Sequence, residues 1–198
     1  MKNLMWLIVV CLICSGCATT PNQTSSSTVI MPDEDDGLGG TGIESTDIRT
    51  VSRKMAESIL GINEIANAQG VPRIALLPVK NSTRFVINQD IFTKKIRIEL
   101  NKNASDKVRF LARERIEDIM KERQAKREGL YASSGEGDLA GVDFYLTGEL
   151  TGLSKASGGN RSDYILMSFQ LINAETSDIV WEDSYEVKKV GISGVAYQ

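Results

Sequence analysis

Carboxylates, lysines, tyrosines and hydroxyls are the side chains with which this sequence could do chemistry. It contains no histidine, and its three cysteines, Cys11, Cys14 and Cys17, all lie in the first seventeen residues. That excludes the Ser-His-Asp and Cys-His triads, the HExxH zinc site and paired CxxC zinc cages. A carboxylate pair is the strongest catalytic candidate left. Asp143 and Glu149 share one face of a predicted strand, but six residues at about 3.3 Å each set them about 20 Å apart. Glycosidase carboxyls stand about 5–9.5 Å apart. Glu149 could instead face Glu182 or Glu186 across neighbouring strands, although surface strands commonly carry such acids for solubility. Lys188 and Lys189 read as edge protection against aggregation. Tyr131, Tyr145, Tyr164 and Tyr185 offer either a recognition patch or half-buried strand tyrosines. The glycines from Gly37 to Gly42 lack both the preceding strand and the following Lys-Ser/Thr of a phosphate loop. The acids Asp33–Asp36 lack the spacing of a calcium loop. The expectation is a non-enzyme with no cofactor and no metal.

Charge gives little support to nucleic-acid binding. The chain has 23 basic and 26 acidic residues; setting aside Lys2 and the four acids Asp33, Glu34, Asp35 and Asp36 leaves 22 of each from Thr41 onward. The most basic stretch, Arg113 to Arg127, is interleaved with Glu114, Glu117, Asp118 and Glu122, and reads as a solvated helix face with i,i+4 pairing. No nucleic-acid partner is expected.

The first residues read as an address. Met1-Lys2-Asn3 is a short positive start, and the apolar run Leu4 to Ile13 is too short to span a bilayer but suits a signal-peptide core. It ends in Cys14-Ser15-Gly16-Cys17, which resembles the bacterial lipobox. The expectation is a signal peptide over 1–16, with Cys17 carrying an S-diacylglycerol and an N-acyl chain. Each buried methylene is worth about 0.8 kcal/mol, so such chains hold a protein firmly to a membrane. Ala18 follows the cysteine in place of the Asp of inner-membrane retention. By that resemblance the destination is the outer membrane, facing the periplasm. Residues 17–43, rich in Thr, Ser, Gly and Asp, read as a disordered tether. Extended, it reaches about 85 Å.

The elements that must position any site are expected in a globular domain over 44–198. Ser45-Thr46-Asp47 supplies helix-capping residues, and Ile48, Val51, Met55, Ile59 and Ile62 form one apolar helical stripe. Arg73 to Val79 reads as a strand buried on both faces, ended by Pro78, and Asn81-Ser82-Thr83 as a turn. A second helix, Asn88 to Lys102, should bury Phe92, Ile96 and Leu100. Val108 to Leu111 is a short strand, and a charged third helix carries Ile116, Ile119 and Met120. Alternation then predicts a three-strand meander: one strand through Phe144, Leu146 and Leu150, and one over Tyr164–Asn173. The third presents Ile179, Trp181, Asp183, Tyr185 and Val187 on one side. A βαβ crossover followed by a meander implies an α/β (α+β) fold, one mixed sheet of about five strands flanked by helices.

Several ordered pieces resemble the LpoB family of outer-membrane lipoproteins. They are Ser45-Thr46-Asp47-Ile48-Arg49, Lys54-Met55-Ala56, Ile74-Ala75-Leu76 and Asn81-Ser82-Thr83. They continue with Gly141 to Gly148, Leu171 to Thr176 and Ile179-Val180-Trp181. The resemblance implies a fold like the TolB N-terminal domain. It also implies a non-catalytic, monomeric activator that docks on the periplasmic part of a class A, bifunctional penicillin-binding protein and stimulates peptidoglycan synthesis. It supplies no docking residues. The alternative is a lipoprotein subunit of an envelope secretion or assembly complex, CsgG- or TolB-like. One departure is local: where the family has Gly after Thr in the turn before the last strand, this chain has Ser177, in a position where left-handed geometry would be strained.

Overall fold

The computed structural model describes residues 27–132 and 139–192. The chain divides into two units, Met1–Ile30 and Met31–Gln198. Of the first, residues 27–30 are described, and they are exposed without helix or strand. The signal peptide and Cys17 lie outside the described residues.

In the second unit, residues 31–39 are exposed and form only turns, whereas Thr41, Gly42 and Ile43 are buried. Packing thus begins within the segment read as tether. Helix α1 (Ser45–Leu60) follows. Its N-cap is Glu44, in a reciprocal capping box with Asp47, whose Oδ2 accepts the Glu44 N–H at 2.9 Å. Val51, Met55 and Ile59 of the expected stripe are buried, and Ile48 and Ile62 pack at its margins. After the short α2 (Asn63–Ala66) comes β1 (Arg73–Leu76), where Ile74 and Ala75 are both buried, so both sheet faces are covered there. Leu77, beyond it, is exposed.

Asn81-Ser82 is not a simple turn. Lys80–Ser82 forms β2, which pairs in parallel with the middle of β4 before Asn81 Oδ1 caps the bend at Thr83. Helix α3 (Ile91–Asn103) buries Phe92, Ile96 and Leu100. Then come β3 (Arg109–Phe110), a 3₁₀ turn over Arg113–Arg115 and α4 (Ile116–Arg127), which buries no side chain. Three long strands close the fold: β4 (Phe144–Ser157), β5 (Asn160–Asn173) and β6 (Ile179–Ile192). Gly158 and Gly159, both at positive φ, make the two-residue turn between β4 and β5.

The sheet has six strands in the order β3-β1-β4-β5-β6, with β2 also on β4. Pairings among β1, β2, β3 and β4 are parallel, and β4-β5-β6 is an antiparallel meander. This is the mixed α/β architecture expected, with a sixth strand. Leu146, Leu150, Ile165, Met167, Phe169, Leu171 and Trp181 lie on the face covered by α1 and α3. Trp181 donates its indole N–H to Ser58 Oγ at 3.0 Å, tying β6 to α1.

Ser177 stands at φ 63°, the one non-glycine residue with positive φ among the described residues. Left-handed backbone costs a Cβ-bearing residue about 1–2 kcal/mol. Ser177→Gly is therefore expected to raise stability by about 1 kcal/mol, checked by denaturant midpoint at unchanged m-value.

Candidate functional site

The carboxylates considered for catalysis are placed apart, and most have structural partners. Asp143 Oδ2 accepts the backbone N–H of Arg73 at 2.7 Å. Glu149 Oε1 takes Lys80 Nζ at 2.9 Å and the Ser82 hydroxyl at 2.8 Å, and these two hold its carboxyl below the usual range. Glu182 Oε1 accepts from Gln170 Nε2 at 2.7 Å. In the register, Glu149 stands opposite Ser168 and Ser168 opposite Ser184. Glu182 and Glu186 therefore lie two strands over and two residues along, about 12 Å from Glu149. That is wider than a glycosidase pair. No group of three or more possible metal ligands occurs among the described residues.

The tyrosines do not form one patch. Tyr145 and Tyr164 sit on the open sheet face, Tyr185 lies on the helix-covered face beneath Lys54 at 4.7 Å, and Tyr131 is exposed beyond α4. Burial, then Glu186, raises the Tyr164 hydroxyl's pKa. Lys189 is not an edge guard: its Nζ reaches Asp47 at 2.7 Å and Glu44 at 3.1 Å, on the first turn of α1. Burial pulls its ammonium pKa down, but these two carboxylates outweigh that and hold it above the usual lysine value. Lys188, on the other face, is exposed.

Two arrangements are visible only in three dimensions. One is a buried clamp at the hairpin end of the sheet. Asp163, 1% accessible, binds Arg84 through both carboxylate oxygens, Nε at 3.1 Å and Nη2 at 2.7 Å, and accepts hydrogen bonds from the Thr41 and Ser154 hydroxyls. Four segments of chain converge on one carboxylate, which makes the clamp a fastener rather than a reactive centre.

The other is a polar cleft of about 520 Å³ between α1 and α3, lined by Asp33, Thr46, Arg49, Thr50, Arg53, Lys95, Glu99 and Lys102. Arg49 and Arg53 stand one turn apart on α1, and Lys95, Glu99 and Lys102 follow one face of α3. Lys95 Nζ pairs with Glu99 Oε1 at 3.0 Å. That bond, helped by Lys102 and Arg49, holds the Glu99 carboxyl below its usual range. Arg49, Arg53 and Lys102 enter no ion pair among the described residues. The cleft thus presents four cations against two carboxylates, an excess of positive charge that favours anions. Sequence reasoning missed it because its cations come from two helices some forty residues apart. The contiguous basic stretch on α4 is instead a solvated face with Glu122–Lys126 and Arg115–Asp118 pairs.

No helix among the described residues is long and apolar enough to cross a membrane. A family model described as peptidoglycan-synthase activator LpoB matches residues 47–187. Among solved structures, the LpoB C-terminal domain from Escherichia coli is similar at 17% identity and a TM-score of 0.39, covering 72% of this chain and 99% of that one. The corresponding domain from Salmonella enterica gives 13%, 0.39, 72% and 96%. The NMR structure of Escherichia coli LpoB gives 13%, 0.40, 88% and 88%. No curated protein matches the sequence.

Proposed function

The chain belongs to the LpoB family of peptidoglycan-synthase activators, and from that premise we propose that it binds the periplasmic part of a class A penicillin-binding protein and stimulates its glycan polymerisation and peptide crosslinking. The observation that carries the reading is the family match itself, which runs from the first turn of α1 into β6 and so takes in β1 to β5, most of β6 and the helices packed on them. The carboxylate geometry supports a role without catalysis of its own, since Asp143, Glu149 and Glu182 are each held in a structural hydrogen bond. In this reading Cys17 carries the lipid, the outer membrane holds the anchor, and the folded body faces the periplasm as a monomer.

Anchoring supplies local concentration rather than a contact surface. Cys17→Ala is therefore expected to move the protein from the membrane fraction to the soluble periplasm while leaving it folded. It keeps Thr41 and its bonds to Asp163 and Arg84. Purified and added to each class A synthase of the source organism, that variant is expected to raise polymerisation and crosslinking rates of one of them. Retention in the membrane fraction overturns the anchor. Unchanged rates with every class A synthase overturn the activator reading.

A further inference from the structure

The cleft between α1 and α3 has a charged neighbour in the same chain. Asp33-Glu34-Asp35-Asp36 is four successive acids without an intervening base, and Asp33 already lines the cleft beside Thr46 and Arg49. The run is held there by specific bonds. The Ser45 hydroxyl donates to the Pro32 carbonyl at 2.6 Å, which fixes the residue before Asp33 to the first residue of α1. A turn returns the Glu34 N–H to the Met31 carbonyl at 2.9 Å. Asp35 and Asp36 accept the N–H groups of Gly37 and Leu38 at 2.8 and 2.9 Å, so the run is followed at once by a bend. These bonds end the acidic segment at the lip of a site whose Arg49, Arg53 and Lys102 enter no ion pair among the described residues.

We propose that the α1–α3 cleft is a binding site for acidic peptide segments, with the chain's own Asp33–Asp36 run as a resident strap that a partner's acidic segment displaces. The partner segment presents carboxylates to Arg49 and Arg53 from one side and to Lys102 from the other. Arginine guanidinium groups take carboxylates in a bidentate fork, which favours a peptide acid over a diffuse field effect. The strap's tethering gives it an effective concentration in the millimolar range, so even a weak intrinsic contact competes with an incoming segment. The site is exposed, so its occupancy depends on ionic strength. This deepens the activator reading and rests on it for the identity of the partner, a peptidoglycan synthase offering an acidic surface segment.

The test is an anisotropy titration of dye-labelled hexa-aspartate against the full chain in neutral detergent, with hexa-asparagine as the uncharged control. Hexa-aspartate is expected to bind in a salt-dependent manner, and hexa-asparagine is expected not to. Neutralising the strap with D33N/E34Q/D35N/D36N should tighten hexa-aspartate several-fold, and Ser45→Ala, which frees Pro32, should tighten it to a lesser degree. Charge reversal with R49E/R53E should weaken it by about tenfold or more. Lys102→Glu on the opposite helix gives a second variant should that pair disturb α1. Equal binding of both peptides, no binding of hexa-aspartate, or an unchanged affinity in the neutralised strap each overturns the inference. The titration contains no synthase, so its failure leaves the activator reading standing, and a failed stimulation assay leaves the titration's answer intact.

Discussion

Asp163→Ala is expected to lower the stability of the fold by about 3–5 kcal/mol, the cost of breaking a buried ion pair from one side, and its melting temperature by on the order of 10 °C. The carboxylate is 1% accessible and accepts hydrogen bonds from all three of Thr41, Arg84 and Ser154. Removing it leaves the buried Thr41 hydroxyl with only the Arg84 Nη2 bond at 3.1 Å, and the Arg84 guanidinium at the end of the sheet facing an apolar methyl. Arg84 is one-third exposed and lies over the Phe85 ring at 4.2 Å, so water recovers part of its charge, which favours the lower end of the range. Asp163→Asn keeps the shape but not the charge and should fall between the two. The same group sets an acid sensitivity. The Arg84 guanidinium, more than the Ser154 and Thr41 hydroxyls, holds the Asp163 carboxyl far below the usual carboxylate range. A depressed folded-state pKa stabilises the fold fully above the unfolded value of about 3.9, and that contribution drains away as pH falls below it. Melting curves by circular dichroism at pH 7 and pH 3 should therefore differ less for Asp163→Ala than for the parent. In a double-mutant cycle with Arg84→Ala, the two losses should fall well short of adding. Full additivity would sink the clamp.

That clamp marks the boundary of what sequence pattern carries. Helix α1 and helix α3 were readable because their apolar residues repeat at steps of three and four, and Val51, Met55, Ile59, Phe92, Ile96 and Leu100 do face the core. The meander was readable because Phe144 to Leu150 and Ile165 to Leu171 alternate, and Gly158-Gly159 can only be a tight turn. The strained turn at Ser177 was legible only through the family resemblance, which has Gly at that place. Strand β2 was not, since Lys80-Asn81-Ser82 has no apolar side chain and is held in place by a ladder to β4 nearly seventy residues on. Lys189 reads as an edge lysine next to Lys188, and only the approach of α1 turns it inward to Asp47 and Glu44. Asp163 is the fourth residue of β5, just ahead of the Tyr164 at which the apolar alternation begins. The burial comes from Thr41 and Arg84, which the sheet has to fold before it can recruit. Periodicity reports which face of an element is apolar. It is silent about which charges from distant elements will meet, and both the clamp and the α1–α3 cleft are meetings of that kind.

Gly148 is where the sheet's geometry admits no side chain, and replacing it should cost more than strand propensity predicts. In an ordinary strand interior, Gly→Ala is favourable by roughly 0.5–1 kcal/mol because glycine loses more backbone freedom on folding. Here Gly148 pairs directly with Phe169. A Cβ on it would stand 2.6 Å from Phe169 Cδ1 and 2.6 Å from the Ser168 carbonyl oxygen. The carbonyl belongs to the ladder and cannot step aside. The Phe169 ring is fully buried and packs on Phe92 at a centroid distance of 5.8 Å and an angle of 47°. It cannot turn without disturbing the contact between β5 and α3. Gly148→Ala is therefore expected to destabilise by about 1–3 kcal/mol, the usual cost of overpacking, and Gly148→Val by more. Gly141→Ala, whose added Cβ would have no atom within 4 Å, serves as the control and should leave the denaturant midpoint nearly unchanged. Phe169→Leu removes the ring edge that Cβ would strike but not the Ser168 carbonyl. The double variant should then recover part of the alanine penalty and none of the share owed to the backbone. If Gly148→Ala instead raises the midpoint, strand propensity outweighs the contact, and β4 and β5 must be able to part at this pair by several tenths of an ångström.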